Sequence, residues 1–194
     1  MTTGAPVGDD ARDRGRLECV GRVAPGVAHD VSSAAASLGA NVEVIRQLVA
    51  ALDASPLDWI DLPELRDAVD DMMAAVARIR GLVRSLAQLA TVGRGEPKAV
   101  DACEVVQTAA ALTAAACRAA GGFHSEIPHE PAIVTVDPGA LLYELVAAVL
   151  DARDLLGRQA GGHAAVTLAA TRERGGVRVR VTPGAYDRFL PLDG

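Results

Sequence analysis

The sequence predicts an α+β protein in which a long antiparallel helical hairpin precedes a small α/β sandwich. Half of the 194 residues are hydrophobic but only 3% are aromatic, so the core must be built from small aliphatic side chains. Such side chains suit closely packed helices better than an all-β sandwich. Apolar residues recur with helical spacing from residue 17 to residue 90, whereas helical and strand-like runs alternate from residue 101 onward.

Composition argues against several classes of function. The net charge of −6 disfavours nucleic-acid binding, because phosphate contacts need a clustered excess of Lys and Arg. Cys19, Cys103 and Cys117 form no Cys-x-x-Cys pair, and we expect buried thiols in a reducing cytosol. No stretch approaches the roughly 20 apolar residues that span a bilayer. We therefore predict a cytoplasmic protein with no nucleic-acid or membrane partner.

The first helix follows a polar segment, residues 1–15, which we predict to be a disordered leader. From residue 17 to residue 52 the apolar positions fall into heptads, which indicate one long helix with a seam. Pro25 interrupts the helix near its start, where a kink needs separate packing or the support of a partner. One heptad line consists of Ala24, Val31, Leu38, Ile45 and Leu52, and the other of Ala28, Ala35, Val42 and Val49.

The second helix is predicted over residues 64–90, after a short connection bracketed by Pro56 and Pro63. A single hairpin would leave its apolar seam exposed, as a patch larger than soluble monomers usually carry. Pairing two hairpins into a dimeric four-helix bundle removes that exposure. The sequence therefore predicts a homodimer whose hairpin domain spans residues 16–91.

Residues 92–100 are predicted to be a linker, and residues 101–194 a separate α/β domain. Asp101 is a plausible N-cap for a helix that runs to residue 119, and Asp137 precedes a second helix with Pro138 at its first position. Strands are expected over 123–127, 132–136, 164–170 and 177–181, the last two joined by a hairpin turn at Gly175. We expect these helices to pack on one mixed sheet.

The run GRVAPGVAHD at residues 21–30 resembles the phosphoacceptor box of two-component histidine kinases, in which an acidic residue follows the histidine on the first helix of a dimerising bundle. Residues 78–89 look like the second bundle helix of that family, and residues 101–106 like the entry to its ATPase domain. Residues 137–141 and 151–154 are similar to the ends of the helix that bears the family's N box. The resemblance covers most of the chain from residue 17 to residue 184.

Departures from the family pattern imply that nucleotide binding is lost. Ala147 and Asp151 stand where the family keeps two asparagines, one of which holds the magnesium ion. Thr182-Pro183-Gly184 stands where the family has an Asp-x-Gly box that reads adenine, and only ten residues follow, too few for the lid over the phosphates. Phosphoryl transfer from ATP depends on positioning and charge neutralisation by these parts. The resemblance is therefore closest to kinase-derived histidine phosphotransferases that need no cofactor, with magnesium supplied by a partner receiver domain.

His29 is the predicted phosphoacceptor. It lies one residue past the seam position Ala28, at the flank of the bundle, and its neighbours three and four residues away are Pro25, Gly26, Ser32 and Ser33. These small residues would let a globular partner approach. By the family analogy, Asp30 orients the ring and stabilises it as it becomes cationic. Ser33 stands where the family often has a polar residue used in phosphatase chemistry.

The sequence thus predicts a histidine phosphotransferase that exchanges a phosphoryl group between His29 and response-regulator receiver domains, with a histidine kinase as a further candidate partner. Two alternatives stay open: a divergent ATP-dependent histidine kinase, and a non-catalytic scaffold that binds a receiver or a kinase. A lone His-Asp pair is more often a surface histidine on a helix than a catalytic site. We expect His124, His129 and His163 to face solvent. The basic residues of the last predicted hairpin favour a role in solubility over a binding surface for an acidic receiver; they are Arg172, Arg174, Arg178 and Arg180.

Overall fold

The computed structural model describes the backbone of residues 7–54, 62–90, 96–118, 121–158 and 165–193. It shows an α+β chain with two long helices followed by a small sheet region. Within these ranges, no helix is both long enough and apolar enough to span a membrane. The start of the predicted leader at 1–6, the connection at 55–61, the linker residues 91–95, His163 and the side chain of Leu52 lie outside the described residues.

The first two elements are α1, Val7–Ala54, and α2, Leu62–Ala90. The backbone is already helical at Val7, inside the segment predicted as a leader, because extending an existing helix costs little and no proline follows until Pro25. The helix continues through Pro25 without ending. Proline removes one backbone hydrogen bond there, and the buried Cys19, Val23 and Val27 on both sides supply the packing that holds the helix together.

The chain divides into two compact units inside these long helices. One unit holds Ala28–Arg84, and the other combines the chain up to Val27 with the chain from Ser85 onward. In the unit Ala28–Arg84, the buried apolar residues are small alanines and one leucine, which permit close helix packing. They are Ala34, Ala68, Ala75 and Leu82.

The two predicted heptad lines of α1 differ in burial. Val31, Leu38 and Ile45 of the first line are half-buried. Ala28, Ala35, Val42 and Val49 of the second line are exposed. A matching exposed line on α2 consists of Val69, Val76 and Val83, with Met73 beside it. The seam predicted as one surface is therefore a partly buried stripe and a separate exposed stripe.

The second part of the chain contains two more helices, which cover one face of a sheet. The elements in chain order are β1 Lys98–Asp101, α3 Ala102–Arg118, β2 Phe123–Glu126, β3 Ile133–Val136, α4 Pro138–Arg158, β4 Val166–Glu173, β5 Gly176–Thr182 and β6 Asp187–Pro191. The prediction of one mixed sheet is wrong. β1 and β3 form an antiparallel pair, and a separate sheet has the order β2-β4-β5-β6, with β2 parallel to β4 and the other pairs antiparallel.

The core lies between α3, α4 and the four-stranded sheet. Alternate residues of β4 and β5 are buried, including Leu168 and Val179, because side chains of a strand point to opposite faces. Leu145 and Val149 are the corresponding buried positions one turn apart on α4. This arrangement anchors α4, so the residues on its other faces are held in fixed positions.

The predicted N-cap at Asp101 is confirmed, and Asp137 caps α4, which begins at Pro138 as predicted. Asp101 Oδ1 accepts hydrogen bonds from the backbone N–H of Cys103 and of Ala132, each 2.9 Å long. Asp137 Oδ1 accepts from Gly139 N–H at 2.9 Å, at the start of α4. These bonds satisfy N–H groups that a helix leaves free at its first turn. Asp101 in addition ties the start of α3 to the segment that leads into β3.

Candidate functional site

His29 is exposed on α1. Pro25, Ser32 and Ser33, which lie within one helical turn of it, are exposed as well. Residues three and four positions apart share a helix face, so Ser33 lies on the same side of α1 as the ring. The surface around His29 is thus open and composed of small side chains.

Asp30 differs from its neighbour, since only 7% of it is exposed. A buried carboxylate needs a counter-ion or hydrogen-bond donors to offset its desolvation. Arg78 on α2 supplies the counter-ion, with its Nη2 atom 3.5 Å from Asp30 Oδ1. Successive helix residues are rotated by about 100°, so one neighbour can face solvent while the next faces the opposite helix. The structure therefore places an exposed imidazole beside a buried, ion-paired carboxylate.

Arg78 is the site residue that sequence reasoning missed. It was part of the segment that resembles the second bundle helix, but no role was assigned to it. Its partner depends on the register between α1 and α2, which neither helix determines alone. A useful signal would have been the spacing of Asp30 from Val23, Val27 and Ala34, which places an acidic residue on an otherwise apolar line of α1, where it requires a cation opposite.

A groove of about 520 Å³ lies between α4 and the connection from β5 to β6, and it is lined by the residues that the sequence resemblance set against nucleotide-binding positions. Ala147 and Asp151 contribute one wall, and Gly184 and Tyr186 the other. Ala147 has no group that binds a metal ion. Asp151 Oδ1 accepts a hydrogen bond from Arg22 at 3.3 Å, so an arginine already balances the carboxylate. Among the described residues, no group of three or more His, Cys, Asp or Glu side chains is placed to hold a metal ion. The residues present therefore do not fit a magnesium-bound nucleotide.

Arg22 of α1 also pairs with Asp154, at 2.7 Å. Asp154 accepts a second contact from Arg153, again at 2.7 Å. Burial raises the pKa of Asp154. The hydrogen bond from Arg153 and the charges of Arg153 and Arg22 lower this pKa by more than burial raises it, so the pKa of Asp154 is below its ordinary value of 3.8. Asp151 is thus largely exposed and Asp154 half-buried, and both carboxylates pair with Arg22.

The helix face around Arg22 is shaped to lie against α3 and α4. Cys19 and Val23 are buried on it. A Cβ atom added at Gly26 would lie 3.0 Å from Cβ of Ala115 on α3, and one added at Gly15 would overlap the Tyr143 hydroxyl on α4. Glycine at these positions permits the close approach. The Arg22 ion pairs thus sit within a packed contact between helices.

Burial favours the neutral form of two further side chains in this unit. Burial raises the pKa of Cys117 to about 11 and that of Tyr186 to about 12. All three cysteines are free and buried, as predicted. These side chains offer no acid–base or thiolate chemistry near neutral pH.

Two of the four arginines of the predicted basic hairpin pair with neighbouring carboxylates. Arg178 pairs with Glu173 at 2.7 Å and with Asp187 at 2.9 Å, and Arg172 pairs with Glu130 at 3.0 Å. His124 and His129 are exposed, in agreement with the prediction. These internal pairs reduce the net positive charge of the hairpin.

No protein-family model and no curated protein matches the sequence in a comparison with either set.

Proposed function

We propose that this chain is a histidine phosphotransferase of a two-component phosphorelay, in which His29 exchanges a phosphoryl group with aspartates of receiver domains. The observation that carries the proposal is the exposed imidazole of His29, set beside the buried and ion-paired carboxylate of Asp30. The small neighbours of His29 leave space for a globular partner. The resemblance of residues 21–30 to a phosphoacceptor box supports the same reading.

The proposed phosphoryl transfer requires few catalytic groups from this chain. One nitrogen of the neutral His29 ring attacks the phosphorus of an aspartyl phosphate, a P–N bond forms, the P–O bond breaks, and the receiver carboxylate leaves with the electron pair. The reverse step returns the phosphoryl group to a second receiver. The receiver would contribute magnesium and its acidic pocket, whereas this chain presents and orients the ring. Asp30 would stabilise the positive charge that develops on the imidazole, and Ser33 is a candidate for dephosphorylation chemistry.

Transfer from ATP is not part of the proposal. Ala147 cannot replace a metal ligand, Asp151 is paired with Arg22, and Thr182-Pro183-Gly184 offers no carboxylate to adenine. A divergent ATP-dependent kinase is the second candidate, because the groove on α4 is open. Calorimetry with ATP and magnesium discriminates the two: heat of binding would favour the kinase, and its absence the phosphotransferase.

We further propose that the protein acts as a homodimer whose two hairpins form a four-helix bundle. The exposed valines on α1 and α2 recur every seven residues, at 42 and 49 and at 69, 76 and 83, which is the spacing of a bundle seam. The α1 line is continued by the small apolar residues Ala28 and Ala35, so no polar residue interrupts either line over these positions. A second copy presents the same two lines and can cover both. Light scattering at micromolar concentration tests this, and a stable monomer would contradict it.

The test of function uses two labelled donors. The protein is incubated with labelled ATP and, separately, with a labelled phospho-receiver, and acid-labile, base-stable label is measured. We expect label only from the receiver, and none in the variant His29→Ala, which should keep the oligomeric state of the parent. A scaffold would still bind the receiver but take no label in either form. Label from ATP would instead support a kinase.

A further inference from the structure

We propose that α1 is a hinged helix: it bends at Pro25, and Arg22 is the latch that holds the part before the hinge on α3 and α4. This part, called the strap, comprises residues 15–27, and it opens while α3, α4 and the sheet stay folded. The inference concerns the conformation of α1 and does not depend on the proposed function. It goes beyond that function in giving the chain a conformational switch that phosphoryl transfer does not require.

The position of the hinge follows from residues that weaken a helix. Pro25 has no backbone N–H, so it cannot donate the usual helical bond to the carbonyl of Gly21, four residues earlier. Gly21 and Gly26 flank this gap, and glycine allows the backbone more freedom than other residues do. Sharp bends in long helices occur almost always at proline or at similar weak points. The weak turn lies at the end of one compact unit, at Val27, so a bend there need not disturb the packing within Ala28–Arg84.

The contact that holds the strap is small and partly ionic. Among the described side chains of the strap, three apolar ones are buried and none is larger than valine: Cys19, Val23 and Val27. Burial of such small side chains stabilises a contact less than burial of leucine or phenylalanine would. Arg22 adds ion pairs across to α4, with Asp154 at 2.7 Å and with Asp151 at 3.3 Å. These pairs therefore contribute a substantial part of the contact.

The ion pairs can separate without leaving a buried charge unbalanced. The side chain of Asp151 is 71% exposed, so water solvates it when Arg22 leaves. Asp154 is less exposed, but it keeps its contact with Arg153 on the same helix, at 2.7 Å. An ion pair is costly to break when it leaves an uncompensated charge inside the protein, and neither carboxylate is left in that state. Arg22 thus acts as a latch that can be released.

Cys19 provides the readout, because its thiol is buried under the strap and becomes accessible when the strap opens. Cys117, buried in α3, reports unfolding of the whole unit in the same sample. The folded protein is exposed to a thiol reagent in low concentrations of urea, and labelling at each cysteine is measured by peptide mass spectrometry. We expect faster labelling at Cys19 than at Cys117. Urea should accelerate labelling at Cys117 much more, since opening of the strap exposes little surface.

Two substitutions change the opening in opposite directions. Arg22→Met removes the latch and should accelerate labelling at Cys19 by about fivefold. Pro25→Ala restores a backbone N–H at an exposed position, and it should slow labelling at Cys19 by about three- to tenfold, because the bent state then loses one more hydrogen bond. The second effect appears only if the helix bends at residue 25.

Arg46→Met and Gly39→Ala are matched controls beyond the hinge. Arg46 is ion-paired on the same helix, and an added methyl group at Gly39 meets nothing within 4 Å. Neither change should alter the labelling rate at Cys19. Equal rates and equal urea dependence at Cys19 and Cys117, or an unchanged rate at Cys19 in Pro25→Ala, would overturn the inference. Circular dichroism checks that each variant is folded, and Pro25→Ala decides the outcome if Arg22→Met unfolds.

Discussion

The ion pair between Arg22 and Asp154 provides a quantitative test of the contact between α1 and α4. The changes are Arg22→Met, which keeps an apolar stem, Asp154→Asn, and the two combined. The N–O distance is 2.7 Å, and the side chains are 22% and 38% exposed. Solvent and the loss of side-chain freedom offset most of the Coulomb attraction at such exposure, so we expect a coupling free energy of about 1 kcal/mol. That corresponds to about a fivefold change in the exchange rate of the protected amides.

Glu43 and Arg46 provide the matched control on the same helix. Their N–O distance is 2.6 Å, nearly that of the first pair, but their side chains are 48% and 68% exposed. We therefore expect a clearly smaller coupling from the same double-mutant cycle, because both side chains are more exposed and the pair lies within one helix. Native-state hydrogen exchange of amides in α4 and in α1 measures both. A coupling for Arg22 and Asp154 no larger than that of the control pair would refute the reasoning.

The same contact has a defined pH dependence. Because the pKa of Asp154 is lowered on folding, its stabilisation is present above the ordinary value of 3.8 and is lost as the pH falls through the folded pKa. The Asp154→Asn variant should therefore lose less stability than the parent between pH 4 and pH 2, which acid unfolding followed by circular dichroism would show. An identical loss in both would contradict the assignment.

Further predictions concern packing, assembly and reactivity. Gly21→Ala should stabilise the protein by about 0.5–1 kcal/mol, because alanine favours the helix and nothing lies within 4 Å of the added methyl group. Gly26→Ala should not show this stabilisation in thermal unfolding, because its methyl group would lie 3.0 Å from Cβ of Ala115 on α3. If the proposed dimer forms, Val76→Lys should yield monomers in sedimentation, whereas the exposed Ala74→Lys, on another face of α2, should keep the oligomeric state of the parent. Cys117 should react with a thiol reagent only after denaturation, because burial raises its pKa to about 11; fast labelling of the folded protein would contradict its burial.

Features that depend on local chemistry could be predicted from the sequence. The caps at Asp101 and Asp137 are examples, because a cap needs only an acceptor side chain and the next three residues. The turn at Gly175 is another, with φ of +80° at a position where glycine is favoured. Long helices were likewise predictable, since their apolar period extends over many turns.

Features that depend on distant partners could not be predicted. β1, at Lys98–Asp101, falls partly in the predicted linker and becomes a strand because β3 pairs with it. β6, at Asp187–Pro191, has no clear alternation and ends in a proline, yet β5 pairs with it along its whole length. The partners of Arg22 and Arg78 depend on helix register and on long side chains, so composition and spacing could not assign them.

The most direct test of the central claim is to locate the phosphoryl group by tandem mass spectrometry under basic conditions, after the protein has been exposed to a phosphorylated receiver domain. His124 and His129 serve as internal controls, because they are exposed as His29 is but neither is followed by a buried acid; Glu130, which follows His129, pairs with Arg172 at the surface. The account predicts phosphohistidine at His29 and none at the two controls. Modification of the controls to the same extent, or a phosphorylated protein whose His29 is unmodified, would contradict it.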